Sequence, residues 1–394
     1  MFTLLVVMWR PAETMASGSM ETNLLQIVDG KVMNPQGETV YLDGLNYKDQ
    51  FKWLLYERKD APRWDSIESD ITRMASLGVK AVRVWFNWIY YEPTPGKLDE
   101  RRMLSDMQRI VDAAKKNGIY VIITIFVKHY WLNGKKINSW VQAHTIDAKT
   151  NPDDLGFWLN DGAFPAVQRR LFVRLWRTIS LRFGSEPAVA AYNLINEPYN
   201  KFYDELPRWT RGISDKIDHY PLRILHEAVV REIRNNGDDH MIILDYNWVY
   251  SCGLVPMALP STDRQLLYDV HMYYVAQENG IQGWDVTYKI SAPWKGKSFT
   301  GERISYAYPE SANGHDRLAL ESRFETLAQA QLGGYVFYFG EFGLTENIAY
   351  NTDVASLIAK FDFTGFAYFE YCPDSDGGPG SVEICQSVMA YARN

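Results

Sequence analysis

The chain has 394 residues, 46% hydrophobic and 23% charged, a balance that excludes wholesale disorder and leaves enough apolar mass for a large core. Its 41 Lys and Arg against 48 Asp and Glu give a net charge of −7, which argues against nucleic acid as a partner, because a phosphate-binding groove needs a basic face. The three cysteines (Cys252, Cys372 and Cys385) lack the short paired spacings of a zinc site and are too few for a disulfide scaffold.

Residues 2–9 form an apolar run with no basic residue ahead of it, far too short to span a bilayer. The run fits a degenerate secretion signal, with the small residues 16–19 behind it, or an upstream extension of a cytoplasmic chain. No other segment has the ~18 consecutive apolar residues of a membrane-spanning helix, so no integral membrane segment is expected. Residues 1–27 therefore read as an extension, and 28–394 as one domain, since no repeat, low-complexity tract or linker interrupts it.

Strand-like and helix-like segments then alternate. Residues 39–46 (TVYLDGLN) predict a first strand, 63–77 an amphipathic helix, 80–86 (KAVRVWF) a second strand and 99–116 a second helix. Residues 119–126 (IYVIITIF) predict a third strand, followed by a long irregular stretch, a helix over 163–183 and a fourth strand over 188–195. A helical pattern over 208–236, broken near Pro221, leads to a fifth strand at 240–246. The sixth strand is read at 265–271, before a long loop, a helix at 315–332, a seventh strand at 335–340 and an eighth at 365–369. The last helix is expected over 381–392. Eight strand-helix units with near-continuous apolar strands predict an α/β fold, a single-domain (β/α)₈ TIM barrel with long loops after strands three and six. An open doubly wound sheet is the weaker alternative, because no Gly-x-Gly-x-x-Gly follows the first strand.

Barrel enzymes place their chemistry at the C-terminal strand ends, and two carboxyl groups stand there. Asn196-Glu197-Pro198 closes the fourth strand, and Glu341 closes the seventh between Gly340 and Gly343. Two such groups suit cleavage of a glycosidic bond with retention, one donating a proton to the leaving oxygen and the other attacking the anomeric carbon. Arg83 lies within strand two, where a buried guanidinium needs a carboxylate partner. His271 ends strand six, and Tyr273 follows on the same side of an extended backbone, placed to hydrogen-bond a nucleophilic carboxylate. The 13 Trp, 25 Tyr and 18 Phe exceed what a core needs, and aromatic faces stack on pyranose rings. Trp85, Trp88, Tyr130, Trp131, Trp140, Trp158, Trp248, Trp284 and Trp294 are the candidates to floor a cleft, with Trp88 equally suited to the core. The acidic pairs Asp153-Asp154 and Asp374/Asp376 read as solvated loop charge, and the chemistry requires neither metal nor other cofactor.

These pieces together resemble glycoside hydrolase family 5, cellulase-like barrels with catalytic Glu on strands four and seven. The segments that carry the resemblance are Leu42–Asn46, Val82–Val84, Tyr192–Pro198, His271–Tyr274, Gly340–Gly343 and Gly365–Phe369. The resemblance implies Glu197 as acid/base, Glu341 as nucleophile held by Arg83 and Tyr273, Asn196 on the sugar 2-hydroxyl, and His271 lining the cleft. Two positions depart from the family pattern. A His commonly ends strand three, where this chain has Phe126, with His129 three residues later. The platform Trp at the end of strand eight is replaced by Phe369.

The sequence thus leads to a monomeric retaining β-glycoside hydrolase acting on β-1,4-linked glucan, its substrate a β-linked carbohydrate, with Trp131 and Trp284 holding remote sugars. The alternatives are a β-mannanase, an exo-acting β-glycosidase on oligosaccharides or glycolipids, and an inactive carbohydrate-binding barrel.

Overall fold

The computed structural model describes residues 23–47, 62–92, 96–126, 131–132, 135–136, 164–196, 220–245, 263–273, 315–343, 348–371 and 381–393. Twelve strands and eight helices are named within these residues. Eight of the strands close a parallel barrel: β3 (Leu42–Tyr47), β4 (Ala81–Asn87), β5 (Tyr120–Phe126), β8 (Val189–Asn193), β9 (Met241–Leu244), β10 (Leu266–Tyr273), β11 (Phe337–Gly343) and β12 (Gly365–Phe369). Every neighbouring pair around the ring is parallel, including β12 against β3. The eight strands expected from the sequence are these eight, with ends shifted by a few residues.

Alternation along each strand divides the core in two. Val82, Val84 and Phe86 of β4 and Val121, Ile123 and Ile125 of β5 face the helices, in the large cluster that surrounds the barrel. Ala81, Ile122, Met241, Leu267, Tyr338 and Ala367 fill the inside. The helices bury matching stripes: Ile67, Ile71 and Met74 on α1 (Trp64–Ser76), and Met103, Met107, Ile110 and Ala114 on α3 (Glu100–Lys116), whose N-cap Asp99 accepts from the Arg102 amide. The short α2 (Trp88–Tyr91) buries Trp88 against Phe172 of α4 (Phe164–Phe183), so Trp88 belongs to the core. No helix among the described residues is long and apolar enough to cross a membrane.

Two features differ from the sequence expectation. A hairpin, β1 (Gln26–Val28) and β2 (Lys31–Met33), plugs the N-terminal end of the barrel: Leu25, Ile27 and Val32 pack on Leu42 and Leu267, and the Ile27 amide donates to Gln265 Oε1 at 2.7 Å. Its turn, Asp29-Gly30 with φ of 50° and 79°, is a recognisable hairpin signal, and the expected boundary at residue 28 runs through it. Of the helical pattern expected over 208–236, the described part is α5 (Tyr220–Asn235), with Pro221 in its first turn, where its missing N–H costs nothing; residues 208–219 lie outside the described residues. An additional helix, α7 (Ile348–Lys360), sits between α6 (His315–Leu332) and α8 (Val382–Met389). Its Asn, Thr and β-branched residues are weak helix formers, and burial of Tyr350, Val354, Leu357 and Ile358 overrides them.

The long connections after the third and sixth barrel strands, residues 127–163 and 274–314, hold only the two-residue strands β6 (Trp131–Leu132) and β7 (Lys135–Lys136) within the described residues.

Candidate active site

The inward residues near the C-terminal ends of the barrel strands form a buried ionic network around Arg83. Arg83 is fully buried on β4. Its Nη1 donates to Glu341 Oε1 at 3.1 Å and to Asn46 Oδ1 at 2.8 Å, and its Nη2 donates to Asn193 Oδ1 at 2.8 Å and Asn196 Oδ1 at 2.7 Å. Nη2 also lies 3.6 Å from Asp269 Oδ2. A planar fork with five N–H donors suits this cluster of acceptors, which a lysine ammonium could not match. Burial disfavours the Arg83 charge, but Asp269, Glu341 and Asp245 outweigh it and raise its pKa further.

Glu341 is inward by virtue of a bulge. On β10 and β11, Asp269 is opposite Tyr338 and His271 opposite Glu341, two steps on one strand against three on the other. The β12 side shows the same extra residue between Phe339 and Phe342. In an unbroken ladder Tyr338 and Gly340 would share the inner face and Glu341 would point at the helices. The extra residue reverses that phase. Phe342 returns to the outer cluster and Gly343, at φ 127°, pairs with Phe369 so closely that a Cβ would lie 2.2 Å from its carbonyl oxygen.

His271, buried on β10, bridges the carboxylates: its Nδ1 is 3.6 Å from Glu341 Oε2, and its Nε2 is 3.4 Å from Asp269 Oδ2 and 3.5 Å from Asp245 Oδ2. Burial pushes its pKa down, but Glu341, Asp245 and Asp269 together raise it well above 6.5 and hold the imidazolium form. Two cations thus face three carboxylates. Asp245, Asp269 and His271 also have ligand atoms within 4.8 Å of one another, spacing that suits a metal ion. The Arg83 guanidinium already stands 3.6 Å from Asp269 Oδ2, a fixed cation beside one of the three, so the group is read as an ion network.

The raised His271 pKa has a sign that experiment can check. A folded-state pKa above the unfolded 6.5 contributes stability that is full below pH 6.5 and disappears as pH rises through the folded value. The difference in unfolding midpoint between wild type and His271→Gln should be largest below pH 6.5 and shrink as pH is raised. A difference that grows with pH would mean that His271 folds neutral.

Above the network lies an aromatic trio. The Trp85 ring stacks on Phe126 at 5.0 Å and meets Phe369 at 5.5 Å, and its Nε1 donates to Asn46 Oδ1 at 2.8 Å. Phe369 is 4% exposed, and the peptide that follows it is cis. The two positions that depart from the family pattern, Phe126 and Phe369, therefore flank one indole.

Of the residues expected at the site, Arg83, Asn196, His271 and Glu341 meet in this network, and Phe369 stands beside it. Tyr273 closes β10 and Trp131 opens β6, but their side chains fall outside the described residues, as do Glu197, His129 and Trp284 entirely. Four participants were not singled out from the sequence: Asn46, Asn193, Asp245 and Asp269. Each is a polar residue in or at the end of an apolar strand, a signal as strong as the one that drew attention to Arg83.

A family model described as cellulase (glycosyl hydrolase family 5) matches residues 33–373. Mannan endo-1,4-beta-mannosidase A of Hypocrea jecorina is 24% identical over 206 residues, 48% of this chain and 42% of that protein. Endoglycoceramidase of Hydra vulgaris is 21% identical over 378 residues, 82% of this chain and 64% of the relative. The chain thus spans less than two thirds of the length of either curated relative. A solved endogalactoceramidase shares the fold with a TM-score of 0.62 at 18% identity, over 92% of this chain and 78% of that one. With a match running through all eight barrel strands, the chain belongs to the cellulase family, glycosyl hydrolase family 5.

Proposed function

We propose that the protein is a retaining β-glycoside hydrolase that cleaves β-1,4-linked glucan by double displacement. The observation that carries the reading is Glu341: a carboxylate turned into the mouth of the barrel by a bulge, bonded by Arg83 at 3.1 Å and flanked by His271. A buried carboxylate held between an arginine and a histidine is placed to act as a nucleophile. In the proposed reaction a Glu341 oxygen attacks the anomeric carbon while Glu197 gives its proton to the departing glycosidic oxygen. Water then displaces Glu341 from the glycosyl-enzyme, with Glu197 taking the water's proton. Asn196 is assigned to the sugar 2-hydroxyl, and Tyr273 to Glu341. The proposed working unit is a monomer.

A second substrate reading has its own support. Phe126 and Phe369 make the floor beside Trp85 more apolar than a His and a Trp would, and the likeness to an endoglycoceramidase runs through 82% of the chain. A glycolipid headgroup is therefore the alternative β-glycoside.

Release of reducing sugar from a soluble β-1,4-glucan, a β-mannan and glycosylceramide in detergent micelles separates these readings, with product anomer followed by NMR. Glucan cleavage with retained β-configuration is the expected result. Cleavage of glycosylceramide alone would transfer the assignment to the glycolipid reading, and an inverted product would end the double-displacement mechanism. Binding without cleavage of any of the three would identify an inactive carbohydrate-binding barrel.

A further inference from the structure

We infer that Asp269 is a positioning residue for Glu341: its carboxylate clasps the backbone amide at the β11 bulge and so holds the glutamate in its inward register. The inference rests on Glu341 as the nucleophile.

Both backbone polar groups of Gly340 are taken by side chains. Its N–H donates to Asp269 Oδ1 at 2.7 Å, and its carbonyl accepts from Asn46 Nδ2 at 2.7 Å. This is what a bulge requires, because the extra residue falls out of the ladder and its buried amide needs another partner. A carboxylate gives a short, charge-assisted bond there. The other Asp269 oxygen accepts from Asn193 Nδ2 at 3.2 Å and faces Arg83 Nη2 at 3.6 Å and His271 Nε2 at 3.4 Å. Asp269 therefore joins the strand that carries Glu341 to both cations beside it. Asp245 faces the same imidazole, and Tyr338, whose ionisation burial pushes well above 10, is a further titratable neighbour among the described residues.

Gly340 gives an independent sign of the clasp. Its φ lies outside the left-handed region, so the backbone there would accept any residue. A Cβ, however, would stand 2.2 Å and 2.4 Å from the two Asp269 oxygens. The approach of the carboxylate, rather than backbone conformation, explains a glycine next to Glu341.

The test uses the full chain with Asp269→Ala, Gly340→Ala and the double variant on an activated aryl β-glycoside. Labelling by a 2-fluoro glycoside and thermal unfolding are followed in parallel. Each single variant should lower kcat by at least about tenfold with KM changed less than about threefold, since the nucleophile is displaced and substrate contacts are not. Labelling per folded molecule should slow in step. Gly340→Ala should cost less than about threefold further once Asp269 is already Ala, because the two residues act through one contact. Additive losses, wild-type labelling in folded Asp269→Ala, or losses that merely follow the unfolded fraction in every variant would each overturn the inference. A wild-type label on a carboxylate other than Glu341 would instead overturn the site assignment beneath it.

Discussion

Glu341→Gln should lower kcat by roughly 10⁴-fold or more, since an amide cannot form the glycosyl-enzyme through which retention runs. The substitution is nearly isosteric, and the amide oxygen can still accept from Arg83 Nη1, which bonds Glu341 Oε1 at 3.1 Å in the wild type. The protein should therefore stay folded while losing turnover, the pattern of a group needed in the transition state rather than in the core. One charge does leave the network. Arg83 and His271 would then face only Asp245 and Asp269, and the His271 pKa should fall because Glu341 is the strongest influence raising it. Peptide mapping after exposure of the wild type to a 2-fluoro glycoside should place the label on Glu341. Substantial activity in Glu341→Gln would sink the assignment, as would a label elsewhere.

Arg83→Met should destabilise the protein by about 3–5 kcal/mol, the cost of removing one partner from a buried ion network. Methionine fills much of the arginine stem's volume, so little of that loss comes from a cavity. It comes from what remains: Glu341 and Asp269 lose a cation at 3.1 and 3.6 Å, the Asn193 and Asn196 oxygens lose their Arg83 donor, and Asn46 Oδ1 keeps only Trp85 Nε1. His271 alone cannot compensate three carboxylates, so at least one of them should take up a proton at neutral pH. Activity should collapse as well, because Glu341 loses the guanidinium that holds it in place. Arg83→Lys separates the two effects: it keeps the charge and loses the fork, and should recover more stability than turnover. Denaturant unfolding with kcat measured on the folded fraction checks both. A stability within about 1 kcal/mol of wild type for Arg83→Met would show that the network relaxes by admitting water or protons at little cost.

Much of this site is legible in the sequence. Continuous apolar strands punctuated by helical repeats specify a parallel barrel, because a strand buried on both faces cannot afford polar alternation. Chemistry at strand ends follows from that architecture, and it drew attention to Arg83, Asn196, His271 and Glu341. What the linear pattern could not show was facing. Glu341 follows Gly340, and simple alternation from Tyr338 would turn it outward; only the register between β10, β11 and β12 reveals the extra residue that turns it inward. The same holds for Asp269, whose role depends on an amide 71 positions away, and for Asn46, which bridges to Gly340 across 294 positions. Phe126, Trp85 and Phe369 are likewise three isolated aromatics in the chain and one cluster in the barrel. Period and propensity are local properties that a sequence carries openly. Inter-strand register is set by closing the ring, and a single residue of slip exchanges the inside for the outside.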